Sequence, residues 1–340
     1  MSFIKLVLFL FFINAGCEKS KDVSTDALEK STIPPSIRDR DFREDMRSFV
    51  IGLSEHAKEQ NPDFSIIPQN GIELVTKSGT ADGAPSKKYL EAIDANGQEN
   101  LFYGYKRDNV ATKPDVTEYN IDLLKVSQEF GNSIFVIDYC SSEAKIKDAY
   151  TQNYNLGFIP FVATQRDLTL IPPVPTKLNK LTSRDVSSLD DAENFLFILN
   201  YEDYNTKNEL LNEIGDSNYD VVFLDMFFSD GTPFSKLDIE KLKTKPGGGQ
   251  RLVICYMSIG EAEDYRYYWD NDWDKNEPVW LDEENKNWKG NFKVRYWEEE
   301  WQNIIYGNED AYLDKILSTG FDGVYLDIID AFEYFENYDE

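Results

Sequence analysis

Apolar positions at two different spacings divide the chain into helices and strands. Between Phe42 and Ala57 they recur every three or four residues, which predicts an amphipathic helix that ends at Asn61-Pro62. Beyond it, short apolar runs alternate with amphipathic segments. The runs predict eight strands, at residues 64–68, 90–94, 133–138, 158–163, 194–200, 219–225, 251–258 and 321–327. The amphipathic segments predict helices near residues 117–130, 142–154, 206–214, 235–243 and 298–317.

This order of elements indicates an α/β protein. Strands that are apolar throughout and alternate with helices are typical of parallel sheets covered on both faces. Eight such strands in about 300 residues fit a (β/α)8 TIM barrel, and a doubly wound open sheet is the alternative. The predicted domain begins with a helix and ends just after a strand, and in a closed barrel that helix would cover the last strand. This favours the barrel.

The first 40 residues have the pattern of an export signal and a tether. Lys5 is followed by an apolar run and then by Asn14-Ala15-Gly16-Cys17. Small residues before a cysteine resemble a bacterial lipoprotein signal, although Asn14 departs from it, and an ordinary secretory signal is the alternative. We expect residues 1–17 to be the signal, Cys17 to carry the lipid, and residues 18–40 to form a tether. Membrane contact is expected only through this anchor.

Residues 41–340 are expected to form one barrel. The stretch 172–193 begins with Pro172 and Pro173, and a polar run follows. It is either a domain linker or an internal bridge between the two halves of a barrel, and we favour the bridge.

Net charge and cysteine usage narrow the classes of partner. The chain has 62 acidic and 35 basic residues, a formal charge of -27, which repels nucleic acid and suits a neutral or cationic polymer. A single histidine, His56, excludes His-rich zinc sites, and no metal or cofactor motif is found. Cys140 and Cys255 lie in apolar runs and are expected to be buried free thiols.

Several predicted strands end in, or shortly before, a carboxylate. Asp138, Asp225 and Asp327 close apolar runs, and Glu99 follows Asp94 by five residues. In a parallel barrel the carboxyl ends of the strands meet at one face, so these acids are expected to form a ring there. Each alone is equally well explained as a helix cap. Glycoside hydrolysis requires at least two carboxyl groups that face each other across a polar pocket.

All six tryptophans lie between Trp269 and Trp301, after the predicted strand 251–258. Such a long connection would form a wall of the catalytic face. Loop packing is expected to explain about four of the six rings, and Trp301 fits the apolar stripe of the next helix. Trp269 is our candidate for stacking on a sugar.

Three longer motifs are LVICYMSIGEAEDYR at 252–266, GFDGVYLDIID at 320–330 and IIPQNG at 66–71. They resemble glycoside hydrolase family 114, which contains endo-α-1,4-polygalactosaminidases. The resemblance covers nearly the whole chain from about Phe42 to Phe335 and implies a (β/α)8 barrel. The order of the motifs differs from that of the family, which implies a circular permutation with 41–171 as the second half-barrel and 194–340 as the first.

The resemblance also implies functional residues. Asp327 corresponds to the nucleophile and Glu99 to the proton donor of a two-carboxylate mechanism, for which a retaining course is expected. A retaining pair has its carboxyls about 5–5.5 Å apart, and an inverting pair about 6.5–9.5 Å. Glu263 and Arg266 match a Gly-x-x-Glu-x-x-Arg pattern and are expected to bind sugar or to hold a carboxylate ionised. Further candidates for lining the sugar site are Tyr256, Asp225, Asn70, Asp138 and Arg166.

The sequence therefore predicts an exported glycosidase, without a cofactor, that cleaves an amino-sugar polysaccharide. The resemblance points to an endo-acting enzyme on α-1,4-linked galactosamine. The alternative is a carbohydrate-binding lipoprotein that keeps the barrel without turnover.

Overall fold

A computed structural model describes residues 40–173, 177–273 and 275–338. The predicted export signal, including Cys17, and all of the tether except Arg40 lie outside these ranges. Within them, no helix has the length and apolar character needed to cross a bilayer.

Eight strands of the described chain form two parallel sheets. They are β1 (Ser65–Pro68), β2 (Ala95–Glu99), β3 (Ser133–Tyr139), β4 (Ile159–Ala163), β5 (Phe195–Phe197), β6 (Val221–Asp225), β7 (Leu252–Ser258) and β11 (Gly323–Asp327). Strands β8 to β10 lie in the connection between β7 and β11 and form a separate sheet. One sheet has the order β1-β11-β7-β6-β5, and the other has the order β2-β3-β4. All pairings in both are parallel. The α/β class is confirmed.

Helices lie between most of these strands. They are α1 (Phe42–Gln60), α2 (Lys87–Ala92), α3 (Pro114–Glu129), α4 (Glu143–Asn155), α5 (Lys207–Gly215), α6 (Lys236–Leu242), α7 (Glu299–Ile305), α8 (Tyr312–Thr319) and α9 (Ala331–Glu336). Helix α1 ends at Gln60 with Asn61 as its C-terminal cap, as the sequence predicts. Capping boxes at Thr206 and Ser235 start α5 and α6 and satisfy backbone N–H groups that the helix leaves free.

The predicted strand at 90–94 is wrong. That segment contains the end of α2, where Tyr89 and Leu90 are buried, and the strand follows as β2. Its sequence, Ala-Asn-Gly-Gln-Glu, has no apolar alternation, yet all five residues are buried. Gly97 is required there because a Cβ atom would lie 2.1 Å from the Tyr325 hydroxyl. Glu99 is therefore the last residue of its strand.

The connection after β7 contains a sheet that periodicity missed. Strands β8 (Glu261–Glu263), β9 (Leu281–Glu284) and β10 (Asn291–Val294) form an antiparallel sheet in the order β8-β10-β9. The helix predicted at 298–317 is interrupted, because the chain leaves α7 at Tyr306 and enters α8 only at Tyr312.

The two parallel sheets meet at both edges. Between β1 and β2 the residues Gln69 and Gly97 form a parallel bridge, and the Asn70 N–H donates to the Gly97 carbonyl at 2.8 Å. Between β4 and β5, the ring of Phe161 lies 5.4 Å from that of Phe195. The eight-stranded barrel and its permutation remain predictions.

Aromatic rings from both sheets pack in one core. Phe135 on β3 contacts Phe195 on β5 and Phe223 on β6, with centroids 5.2 and 5.4 Å apart. Tyr325 on β11 lies 4.9 Å from Phe223. Edge-on packing of such large rings stabilises the interior and places the strand ends around it.

Candidate active site

Glu99 lies buried at the end of β2 with its carboxyl held on both sides. The Tyr139 hydroxyl donates to Oε1 at 2.5 Å, and the Asn70 amide lies 3.5 Å from Oε2. The Asn70 side-chain oxygen accepts the Glu99 N–H at 3.2 Å. Asn70 has a φ of +57°, a left-handed conformation that asparagine adopts more readily than most residues. Desolvation raises the pKa of Glu99, while the Tyr139 hydrogen bond and the Arg166 charge lower it.

Asp327 lies at the end of β11. The Tyr256 hydroxyl, from the neighbouring strand β7, donates to its Oδ2 at 2.5 Å, and the Ile328 N–H donates to Oδ1 at 2.8 Å. Desolvation, with the nearby Glu99 charge, raises the pKa of Asp327 to about 7 against the opposing Tyr256 hydrogen bond. The two predicted catalytic acids are therefore close enough to interact electrostatically. Tyr256 binds the carboxyl of Asp327.

A groove of about 520 Å³ opens beside Glu99. Side chains from the end of β2 and the loop after it, from the segment after β1, and from α3 and α9 line it, and many of them are acidic or aromatic. They include Asn70, Glu73, Gln98, Glu99, Tyr105, Asp115, Tyr119, Asp330 and Glu333. Desolvation and the charges of Glu333 and Asp327 raise the pKa of Asp330 well above its usual value. The groove is thus a polar, strongly acidic space next to the acid pair.

Arg266 joins two predicted sugar-binding acids into a buried ion cluster. It makes a bidentate bond to Asp225, at 2.9 and 2.7 Å, and its Nε donates to Glu263 at 2.6 Å. The Tyr265 hydroxyl donates to the other oxygen of Glu263. Burial raises the pKa of Glu263, and the Arg266 charge opposes that shift. Asp225 and Glu263 thus accept hydrogen bonds from the same buried arginine, Arg266.

The Gly-x-x-Glu-x-x-Arg pattern begins at Gly260, which packs against the loop after Asp327. A Cβ atom there would lie 2.2 Å from the Ile328 carbonyl oxygen. The pattern thus combines a close backbone approach to the Asp327 loop with the ion cluster of Glu263 and Arg266.

Two other predicted residues lie behind the site. Asp138 is fully buried, and its carboxylate accepts the Phe102 and Tyr103 N–H groups at 2.7 and 2.8 Å, so it fixes the loop after β2. Arg166 donates to Asp108 at 2.7 Å, and its guanidinium lies 3.9 Å from the centre of the Tyr139 ring. Neither side chain lines the groove.

Most of the tryptophans after β7 pack with other aromatic rings. Trp269 contacts Trp273 and Phe292, with centroids 5.1 and 4.8 Å apart, and is half-buried. Trp280 and Trp301 are buried, and the Trp301 indole N–H donates to the Ile259 carbonyl at 2.9 Å. Trp269 does not line the groove beside Glu99.

Other sequence predictions concern groups away from the groove. His56 pairs with Asp314 at 2.8 Å on the outer helices. Cys140 and Cys255 are buried free thiols, as predicted. In the part of the chain that the structure describes, no group of three or more His, Cys, Asp or Glu side chains has the geometry to hold a metal ion.

Comparison with known proteins identifies the second half of the chain. The model of glycoside-hydrolase family GH114 matches residues 182–339. The matched segment, a little under half of the chain, is similar to glycoside-hydrolase family GH114. Within it lie Asp327 and the Arg266 cluster, whereas Glu99, Asn70, Asp138 and Arg166 lie outside it. The GH114 match is narrower than the resemblance expected from the motifs.

The curated relatives are also similar over part of their length. An uncharacterized protein of Methanocaldococcus jannaschii is 44% identical over 173 residues, 47% of each chain. Uncharacterized proteins of Thermotoga maritima and Deinococcus radiodurans are 40 and 39% identical over 122 and 127 residues, 36 and 37% of this chain. The matches span 47, 36 and 38% of these relatives' lengths, less than half of each.

Sequence reasoning missed several residues of the site. Asp138 was predicted to line the site, but successive strand residues face opposite sides of the sheet. Tyr139, which directly follows Asp138, is therefore the residue that reaches Glu99. Asp330 lies within the GFDGVYLDIID motif, and Glu333 follows it on α9. Gln98 and the tyrosines of the groove had no signal, since their strand and loop lack apolar periodicity.

The buried acids predict a pH-dependent stability. Desolvation raises the pKa of Asp138 to about 6, and of Glu333 to about 7. The folded protein therefore holds protons that the unfolded chain has released above about pH 4, so its free energy of unfolding falls as the pH rises from about 4 to about 7. We expect a lower melting temperature at pH 8 than at pH 5. Glu333→Gln should weaken this dependence, and Glu118→Gln, at an exposed position, should preserve it. An equal slope in both variants would contradict the assignment.

Proposed function

We propose that this protein is a glycoside hydrolase that cleaves an amino-sugar polysaccharide, with Asp327 and Glu99 as its acid pair. The approach of the two carboxyls carries the proposal. Glu99 and Asp327 end strands β2 and β11, whose residues Gly97 and Tyr325 pack against each other, and the charge of Glu99 acts on Asp327. Glycosidic cleavage requires two carboxyl groups beside a polar groove that can hold the sugar. The match of residues 182–339 to the GH114 model supports the same reaction class.

The acidic groove supports a substrate with free amino groups. Glu73, Asp115 and Glu333 line it together with Glu99, and the chain carries a net charge of -27. A cationic polymer is concentrated by such a field, whereas an anionic one is repelled. We therefore propose α-1,4-linked galactosamine as the substrate, cleaved internally and with retention.

The proposal includes a permuted (β/α)8 barrel and export to the cell envelope. The junctions of the two parallel sheets support the barrel. The leader-like residues 1–17 support a lipid anchor at Cys17, which Cys17→Ala would abolish in a membrane-fractionation experiment.

The decisive experiment measures reducing ends released by the purified chain from polygalactosamine, its fully N-acetylated form and chitosan. Release from polygalactosamine, with product anomers followed by NMR, would support the reaction and report its stereochemistry. Binding to a polymer without release from any of them would contradict catalysis and favour a carbohydrate-binding protein.

Tyr119 is expected to contribute binding energy along the groove. Its ring is 42% exposed, and its hydroxyl donates to Glu73 at 3.0 Å. Aromatic faces stack on sugar rings, so Tyr119→Ala should raise KM by up to about tenfold with little change in kcat. Tyr119→Phe keeps the ring and should stay near wild type. Phe130→Ala, at an exposed ring near the end of α3, is the matched control. Equal KM values for Tyr119→Ala and Phe130→Ala would exclude stacking at Tyr119.

A further inference from the structure

Gln69 lies between the two strands that carry the proposed acids. It directly follows β1, which pairs with β11 on one side. Its N–H donates to the carbonyl of Leu326, the residue before Asp327, at 2.8 Å. On the other side, Gln69 forms a parallel bridge with Gly97, two residues before Glu99. The backbone of Gln69 is therefore held between the ends of both acid-bearing strands.

The side chain of Gln69 faces the same side of the sheet as the two acids. In a parallel sheet, paired residues face the same side, and side chains alternate along each strand. The register of β1 with β11 places Gln69 level with Asp327. The bridge to Gly97 places it on the face of Glu99, two residues further along β2. Desolvation raises the pKa of Glu99, and the Gln69 amide is one of the groups that lower it.

Both ends of the Gln69 amide lack a hydrogen-bond partner among the residues that the structure describes. The residue is only 1% exposed, so bulk solvent does not supply one. A buried amide without partners destabilises a protein, and its retention in a site calls for a functional reason. Since neither end is committed to another group, the amide can turn its NH2 or its oxygen toward either carboxyl.

Such an amide complements one protonation state of a carboxyl pair. A carboxylate only accepts hydrogen bonds, whereas a protonated carboxyl also donates one. When the pair holds a single proton, the amide NH2 donates to the carboxylate and the amide oxygen accepts from the protonated partner. Two carboxylates leave the amide oxygen without a donor, and two neutral acids lose the stronger bond to a charged group.

Other titratable and charged groups also face the acid pair. Tyr139 donates a hydrogen bond to Glu99, and Tyr256 donates one to Asp327. These two bonds favour the ionised form of both acids alike, so they do not select the state with one proton. The groups that face the pair from the neighbouring elements are Tyr139, Arg166, Tyr256, Glu261, Tyr325 and Asp330.

We propose that Gln69 is a positioning residue that stabilises the state in which the acid pair holds one proton, whichever of the two carboxyls carries it. This rests on the acid pair of the proposed function. It goes beyond that function, which requires one protonated and one ionised carboxyl without a group that maintains this state. During cleavage the proton passes to the glycosidic oxygen, and water later returns one to the pair. The amide follows these changes by turning between the two carboxyls.

The separation between the two titration midpoints of the acid pair tests the proposal without turnover. Carbon-13 NMR of the full chain follows both carboxyl signals, which are assigned by their loss in Glu99→Gln and Asp327→Asn. A group that favours the state with one proton lowers the first midpoint and raises the second. Gln69→Met keeps the length of the side chain and removes the amide, so the separation should narrow by about one pH unit. An unchanged separation would overturn the proposal.

Two further variants separate positioning from a general effect on the fold. Gln69→Asn keeps an amide on a shorter side chain and should narrow the separation less than Gln69→Met. Gln302→Met is the matched control, because Gln302 lies on α7 and its amide donates to the Tyr296 carbonyl at 2.9 Å. It should leave both midpoints in place, and thermal melts should show that all variants fold. Equal narrowing in Gln69→Met and Gln302→Met would refute the role of Gln69.

The pH profile of kcat on polygalactosamine provides the second measurement. A reaction that needs one protonated and one ionised group gives a bell-shaped profile. In Gln69→Met the bell should be narrower on both limbs, and kcat at its maximum should fall by up to about tenfold. KM should be nearly unchanged, because Gln69 does not line the groove. A bell of wild-type width would contradict the proposal. Absence of turnover in the wild-type protein would contradict the proposed function instead, and the NMR midpoints would still decide the role of Gln69.

Discussion

Asp327→Asn and Glu99→Gln are each expected to lower kcat on polysaccharide by at least about 10²-fold, the loss typical when an acid–base group is removed. Both changes keep the shape of the side chain and remove its charge. One carboxyl must supply a proton and the other must act as a carboxylate, so neither can replace the other. Reducing-end release at several substrate concentrations checks the prediction.

Exposed acids away from the groove supply the matched controls. Asp216→Asn, at the end of α5, and Glu240→Gln, on α6, remove the same groups where no reaction is expected. Their rates should match the wild type, and thermal melts should show that all four variants fold. A fully active Asp327→Asn protein would exclude Asp327 from the acid pair.

Arg266→Met is expected to lower the free energy of unfolding by about 3–5 kcal/mol, because it leaves two buried carboxylates without their cation. Asp225 and Glu263 are 6 and 1% exposed, and Arg266 is their shared partner. Methionine keeps much of the volume, so the loss reports the ionic bonds more than a cavity. Urea denaturation of the variant and the wild type measures the difference.

An arginine in a surface ion pair provides the comparison. Arg40 binds Asp45 at 3.0 Å, and both side chains are about one-third exposed, so Arg40→Met should cost less than about 1 kcal/mol. Equal losses for Arg40→Met and Arg266→Met would show that the cluster adds no special stability.

Most of the fold was predictable because buried parallel strands are apolar on both faces. Seven of the eight predicted strands overlap parallel strands of the structure, as the run around Val221–Asp225 illustrates. Strand β2 was missed because its residues are polar or small and are buried by contacts with distant residues, such as Gly97 with Tyr325. The sheet of β8, β9 and β10 was missed because its strands are only three or four residues long. Strand β8 buries two glutamates, and β9 and β10 are partly exposed without alternation.

The site was predictable where a single strand position decides it. Asp327 and Glu99 both lie at strand ends and interact electrostatically, whereas Asp138 and Asp225 of the predicted ring of acids bind other partners. The partners that hold them were harder to infer. The sequence predicts that Tyr256 and Arg166 contact sugar. In the structure, Tyr256 binds Asp327, and Arg166 packs on the ring of Tyr139, which binds Glu99. Such roles depend on distances between strands, which sequence spacing does not contain.

The location of Glu99 outside residues 182–339 affects how relatives should be interpreted. When a homologue matches that segment alone, the match is evidence that it has the strand carrying Asp327. It is not evidence that the homologue has a second acid. Transfer of hydrolytic activity to such a protein therefore requires locating a carboxylate elsewhere in its own chain. If Asp327 and Glu99 form the proposed acid pair, a lineage that loses Glu99 but keeps residues 182–339 would still match the family model without its second acid.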